Sequence, residues 1–234
     1  MTDLLYLDDS YLSEFRAIVK EVHNGGIILD KTAFYVGGGG QPCDTGIIEF
    51  DGIKSEVIEV RRDNFVHVIE GQLPKVGEEI IGKIDWNRRY KIMRTHTALH
   101  VLSGVAYQNF GVKITGNQLY PARARVDLSF ENLSKELVKE IIDSTNEVIK
   151  RDLKVRAYYI TPEEFKSRPE LMRVNPKLYE KYEKIRIVEI ENFDAQADGG
   201  THVKSTSEIG RVVLQKYESK GRKNKRIYIG VEND

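Results

Sequence analysis

Residues 94–104 read RTHTALHVLSG and divide a strand-patterned first part of the chain from a mixed second part. They hold two of only five histidines, His96 and His100. Ile92, Leu99, Leu102 and Val105 recur at helical spacing with no proline nearby. On a helix, residues i and i+4 stand one above the other, so both imidazoles leave one face within reach of a single ion.

A catalytic zinc takes three protein ligands and a water, so two histidines make half a site. The remaining histidines are His23, His67 and His202. His202 ends the loop-like DGGTH of residues 198–202, just after the apolar run Ile185–Ile190, and Asp198 precedes it by four. The glycines there let the backbone turn sharply. His96, His100, His202 and Asp198 therefore form a candidate divalent-metal set. Spacing alone also fits a helix-surface histidine pair that binds nothing. A zincin protease is excluded, because its glutamate base follows the first histidine and Thr97 stands there.

Composition narrows the classes. A chain of 234 residues fits one large domain or two small ones. Lys and Arg number 36 against 36 Asp and Glu, so nucleic-acid contact must come from local patches. The single cysteine, Cys43, makes no internal disulfide, which fits a reducing compartment. No apolar run reaches membrane-spanning length, and the opening MTDLL lacks a basic secretory start. The expectation is a soluble, cytoplasmic protein.

Short Val- and Ile-rich runs at 15–22, 26–29, 45–50, 54–60, 65–69 and 79–84, separated by turn residues, predict a small N-terminal β-barrel. Asp51-Gly52 is a two-residue hairpin signal. His67 alternates with Val66 and Val68 and reads as an outward strand residue; His23 precedes a turn and reads as exposed. Within this part lies TAFYVGGGGQPCDTG, residues 32–46. No Lys-Ser/Thr follows the glycines, and Pro42 blocks a dinucleotide fingerprint. A flexible loop and a loop whose backbone approaches a ligand both fit.

A boundary near residue 86 gives a barrel domain, 1–86, and a second domain, 87–234. There, strands are expected at 114–120, 123–130, 154–160 and 185–190, with an amphipathic helix over 134–152. Thr161-Pro162-Glu163-Glu164 starts another helix, and 176–183 reads as a short charged helix or turn. Residues 208–217 and 226–231 form a hairpin with a basic tip that includes Lys223 and Lys225. Such a tip fits a solvated edge or a phosphate contact. Arg88, Arg89 and Arg94 add weakly to the nucleic-acid reading. The fold class is α+β: a small barrel, then helices packed on antiparallel sheet.

Together, TAFYVGGGGQPCDTG, RTHTALHVLSG and DGGTHVKSTSEIG resemble the editing module of alanyl-tRNA synthetase, and more closely the freestanding AlaX alanyl-tRNA editing family in its medium-length form. The resemblance covers nearly the whole chain. It implies hydrolysis of tRNA(Ala) mischarged chiefly with serine, with glycine as the second candidate, and one Zn2+ per chain. His96, His100 and His202 match three zinc positions; the fourth, a cysteine in the family pattern, is Asp198 here. Aspartate is a harder oxygen donor, so three histidines plus water is an alternative set. Under the same resemblance Thr32 senses the serine hydroxyl, Gln41 matches the family glutamine, and Gly38, Gly39 and Gly40 lie beside the terminal adenosine. The rival readings are a noncatalytic tRNA-binding module with a structural zinc and a small-molecule metallohydrolase.

Overall fold

The computed structural model describes residues 2–132, 134–171, 182–221 and 224–233. The chain divides into two compact units, Met1–Ile92 and Met93–Asp234, with the division inside a helix.

In the first unit the strands are β1 (Asp3–Leu4), β2 (Glu14–His23), β3 (Gly26–Leu29), β4 (Lys31–Thr32), β5 (Gly46–Phe50), β6 (Ile53–Val60), β7 (His67–Glu70) and β8 (Glu79–Ile84). Six of them close a barrel in the order β2-β3-β7-β6-β5-β8, while β1 and β4 pair parallel beside it. Alternation drives closure. Phe15, Ala17 and Val19 of β2, with Ile48, Val57 and Ile80, point into a common core, where each large aliphatic contributes about 1.5–3 kcal/mol. The β5–β6 turn falls on Asp51-Gly52, both at positive φ (45° and 75°), as a two-residue primed turn requires.

His67 corrects the sequence reading: it is completely buried. Phe65 adopts a positive φ of 55° and belongs to the turn, so β7 begins two residues later than expected. Within β7, His67 and Ile69 face inward and Val68 is only partly buried, the opposite phase to the one expected.

The helix α1 (Trp86–Phe110) crosses the division. The second unit continues with β9 (Ile114–Tyr120), β10 (Arg123–Leu128), α2 (Lys135–Ile149), β11 (Val155–Ile160), α3 (Pro162–Ser167), β12 (Ile185–Ile190), β13 (Asp194–Ala197), β14 (Arg211–Ser219) and β15 (Lys225–Glu232). Its sheets run β14-β15-β10-β9 and β11-β12-β13, with antiparallel neighbours. Ser134 caps α2 by accepting from Leu137 N. Val138, Ile141, Ile142, Thr145, Val148 and Ile149 form its buried stripe. The Asn146 amide then exchanges two 2.8 Å hydrogen bonds with the backbone of Val212 in β14. Thr161 and Glu164 close a capping box on α3.

Two differences from the sequence reading stand out. The final hairpin starts at Arg211, because Ser205 and Glu208 cap a 3-10 turn over Thr206–Ile209. A short strand, β13, lies between β12 and the 198–202 loop. The helix or turn expected at 176–183 falls mostly outside the described residues. Among the described residues, no helix is long and apolar enough to cross a membrane.

Candidate metal centre and glycine turn

Every residue of α1 from Thr95 to Ala106 is buried, so this middle stretch of the helix is covered all round and has no solvated face. The i,i+4 histidines therefore project into the interior, with ring centroids 5.1 Å apart. The 198–202 loop is tied down by Arg186, whose Nη1 donates to Asp198 O (3.0 Å) and Gly200 O (3.1 Å). Asp198 Oδ1 accepts from Gly200 N at 2.6 Å, which folds the carboxylate over its own turn. His202 arrives stacked on His96 (4.2 Å) and beside His100 (4.6 Å).

Four groups from two distant stretches thus converge. Asp198 Oδ1 lies 3.1 Å from His202 Nε2, and Oδ2 lies 3.5 Å from His96 Nε2 and 3.9 Å from His100 Nε2. All four ligand atoms fall within 4.8 Å of one another. Tetrahedral zinc with bonds of about 2.0–2.1 Å places its donors roughly 3.3 Å apart, so a small contraction suffices.

The protonation states suit a cation. Burial pushes the imidazolium forms down: His96 and His202 fall below the usual histidine value, and His100 reaches about 4. Burial pushes the Asp198 carboxyl up, but His96, His202 and His100 outweigh it and hold the pKa well below the usual value. In their deprotonated forms the three imidazoles and the carboxylate would offer lone pairs and one negative charge to an ion. A divalent ion meets that offer, so the donor set fits zinc. Asp198, at 17% side-chain exposure, is the most open member and marks the solvent side.

Thr97 and Arg186 support this centre and escaped the sequence reading. Thr97 Oγ1 lies 3.1 Å from His202 Nδ1, and the Thr201 backbone hydrogen-bonds the His96 ring. No local pattern in sequence announces a hydroxyl that reaches a histidine 105 residues away.

In the first unit, Gly38 and Gln41 exchange backbone hydrogen bonds of 3.0 and 2.9 Å across Gly39-Gly40. Gly39 and Gly40 have φ of 60° and 86°, so the loop is a two-residue primed turn that side chains would strain. Gly37 and Gly38 are also at positive φ (85° and 124°). The glycines are thus demanded by backbone conformation, and the turn borders a shallow groove with Gln41, Pro42, Arg61 and Arg62. Its base is anchored by Asp44, which accepts from Tyr35 N (2.7 Å) and forms a buried ion pair with Arg89.

That pair corrects one expectation. Arg89 is fully buried, donating also to Ser10 O and Ala33 O; Arg88 donates to Cys43 O. Arg94 is spent on Ile209 O and Glu232 O. Burial withdraws Arg89 from any nucleic-acid patch, while Arg88 and Arg94 are half-buried and bonded to backbone carbonyls. Lys225 is buried too, with its ammonium on Gly221 O (2.7 Å) and Ser219 Oγ (3.1 Å), where it braces the hairpin. Lys223 lies outside the described residues.

Thr32 is completely buried in the first unit. Its Oγ1 accepts from Phe34 N (3.1 Å) and bonds His67 Nε2 (2.8 Å). Gln41 is buried as well. Neither belongs to the four-residue cluster.

Two family models match: one described as tRNA synthetases class II (A) over residues 7–88, and one described as Threonyl and Alanyl tRNA synthetase second additional domain over residues 185–228. The alanyl-tRNA editing protein AlaX-M of Saccharolobus solfataricus is 43% identical, covering 99% of this chain and 100% of its own length. AlaX-M of Methanosarcina mazei is 40% identical over 99% of this chain and 97% of its own. The alanine–tRNA ligase of Pyrobaculum neutrophilum is 37% identical over 92% of this chain, which spans 25% of that enzyme. With similarity that runs end to end and a histidine–aspartate cluster built from its two most distinctive stretches, the chain belongs to the AlaX-M alanyl-tRNA editing protein family.

Proposed function

We propose that this protein is a trans-editing hydrolase that deacylates mischarged tRNA(Ala), chiefly Ser-tRNA(Ala), with Gly-tRNA(Ala) as the second substrate, in the cytoplasm where charged tRNA is used. The observation that carries the reading is the convergence of the His96, His100 and His202 imidazoles and the Asp198 carboxylate, whose ligand atoms all lie within 4.8 Å of one another. Similarity to proteins named alanyl-tRNA editing proteins supplies the substrate class.

His96, His100, His202 and Asp198 would hold a zinc ion. When bound, it supplies Lewis acidity and lowers the pKa of a water towards ~7. The chain's own residues do the rest. The histidines, when neutral, offer their lone pairs from a largely buried position. Asp198, on the open side, takes one of two roles: fourth donor, or a base that accepts the proton of the attacking water. Alanine is smaller than serine, so selectivity needs a polar contact that alanine cannot make. Thr32 is the candidate sensor. Since it is buried and bonded to His67, direct contact requires its cover to open on binding.

One observation favours a second reading. Four donor atoms lie within 4.8 Å of one another, the number that a closed structural zinc site takes, as it would in a noncatalytic tRNA-binding module. Incubation of the zinc-loaded protein with Ser-tRNA(Ala) and Ala-tRNA(Ala), with and without chelator, separates the two. Chelator-sensitive release of serine with alanine spared is expected. Stable binding of tRNA with no release from either substrate would replace hydrolysis with the binding-module reading.

A further inference from the structure

The hydroxyl of Thr97 has three neighbours: Met93 O at 3.0 Å, Val203 N at 3.2 Å and His202 Nδ1 at 3.1 Å. Thr97 is completely buried, so no bulk water competes for these contacts. Two of the neighbours have fixed roles: the carbonyl only accepts, and the amide only donates. The Thr97 hydroxyl has one proton and two lone pairs. With the proton on Met93 O, both lone pairs receive hydrogen bonds, one from Val203 N–H and the other from a protonated His202 Nδ1. The hydroxyl and its three neighbours are then satisfied, and the Nε2 of His202 carries a lone pair whose partner would be a bound cation.

That lone pair faces the cluster, since Nε2 is the atom 3.1 Å from Asp198 Oδ1. With the Thr97 proton turned to Nδ1 instead, the imidazole proton moves to Nε2 and points at Asp198. In that arrangement the nitrogen cannot bind an ion. That arrangement also takes the hydroxyl proton away from Met93 O, so the Met93 carbonyl and the Val203 amide together favour the first.

We propose that Thr97 is a positioning residue that fixes His202 in the Nδ1–H form and presents its Nε2 lone pair to the metal. The proposal rests on the metal-site reading above. It extends that reading to a residue outside the ligand set, on α1 beside His96. A merely structural hydroxyl bridging Met93 O and Val203 N would affect folding stability but leave metal affinity unchanged. Partners that fix histidine ligands in metal sites generally change affinity by roughly 10–100-fold when removed.

The test compares wild type, Thr97→Ser and Thr97→Val. Zn2+ affinity is measured by competition with a chromophoric chelator, and metal-free stability by thermal melting. The ring nitrogens are read by 15N NMR of histidine-labelled protein. Expected is a roughly 10–100-fold loss of Zn2+ affinity in Thr97→Val, rescue in Thr97→Ser, and a protonated Nδ1 on His202 in the wild-type zinc form. Equal affinity in Thr97→Val overturns the proposal, as does His202 protonated at Nε2 in the zinc form. If Thr97→Val fails to fold, the wild-type spectrum decides alone. Failure of wild type itself to bind zinc would overturn the metal reading, a result separable from an unaltered variant.

Discussion

Asp198 and His202 stand four residues apart on one loop with Oδ1 3.1 Å from Nε2, while the other carboxylate oxygen faces His96 and His100. The two carboxylate oxygens of this one residue are therefore aimed at all three imidazoles.

Asp198→Ala is expected to weaken Zn2+ binding by at least about tenfold, as loss of one donor from a buried set implies. Asp198→Cys is expected to restore or exceed wild-type affinity, because thiolate is the softer donor. Chelator competition measures both. Unchanged affinity in Asp198→Ala would remove it from the ligand set and leave it only the role of base.

Thr32→Val is expected to lose discrimination between Ser-tRNA(Ala) and Ala-tRNA(Ala) while retaining full metal content. The valine keeps the shape but leaves Phe34 N and His67 Nε2 without the hydroxyl they now share. Deacylation rates on the two substrates, with zinc quantified in the same preparation, test this. Undiminished selectivity would end the sensor assignment.

Arg89→Met should destabilise the first unit by about 3–5 kcal/mol, because it strands the Asp44 carboxylate in the interior. Arg89→Lys should recover only part of the loss, since one ammonium cannot reach Asp44, Ser10 O and Ala33 O together. Urea unfolding provides the readout, and a wild-type midpoint in Arg89→Met would refute the buried-pair account.

Burial lowers the His67 pKa to about 4, below the unfolded value near 6.5. Between these values the unfolded chain binds more protons. The neutral ring's contribution is therefore full above about pH 6.5 and is lost as pH falls towards 4, on the order of 3 kcal/mol in total. Stability measured at pH 7 and pH 5 should fall less in His67→Gln than in wild type. Parallel losses would show that His67 does not titrate in this window.

The sequence by itself determined the local elements. Period-two alternation in β2 and β6, the Asp51-Gly52 turn, the Ser134-capped stripe of α2 and the Thr161–Glu164 box are short-range physics, legible from neighbouring residues. It also showed His96 and His100 on one helical face, because that spacing is local. The tertiary structure alone decided the rest. His67 points into the barrel core, packed edge-on against Phe34 and bonded to Thr32. Arg89 left the surface for a buried pair with Asp44, 45 positions away. Thr97 reached His202 across the unit, and Asp198 brought its carboxylate to three imidazoles. Burial and pairing of polar groups depend on which distant segments supply partners, and the hydrogen-bonding needs of a buried side chain are met only once the chain has folded.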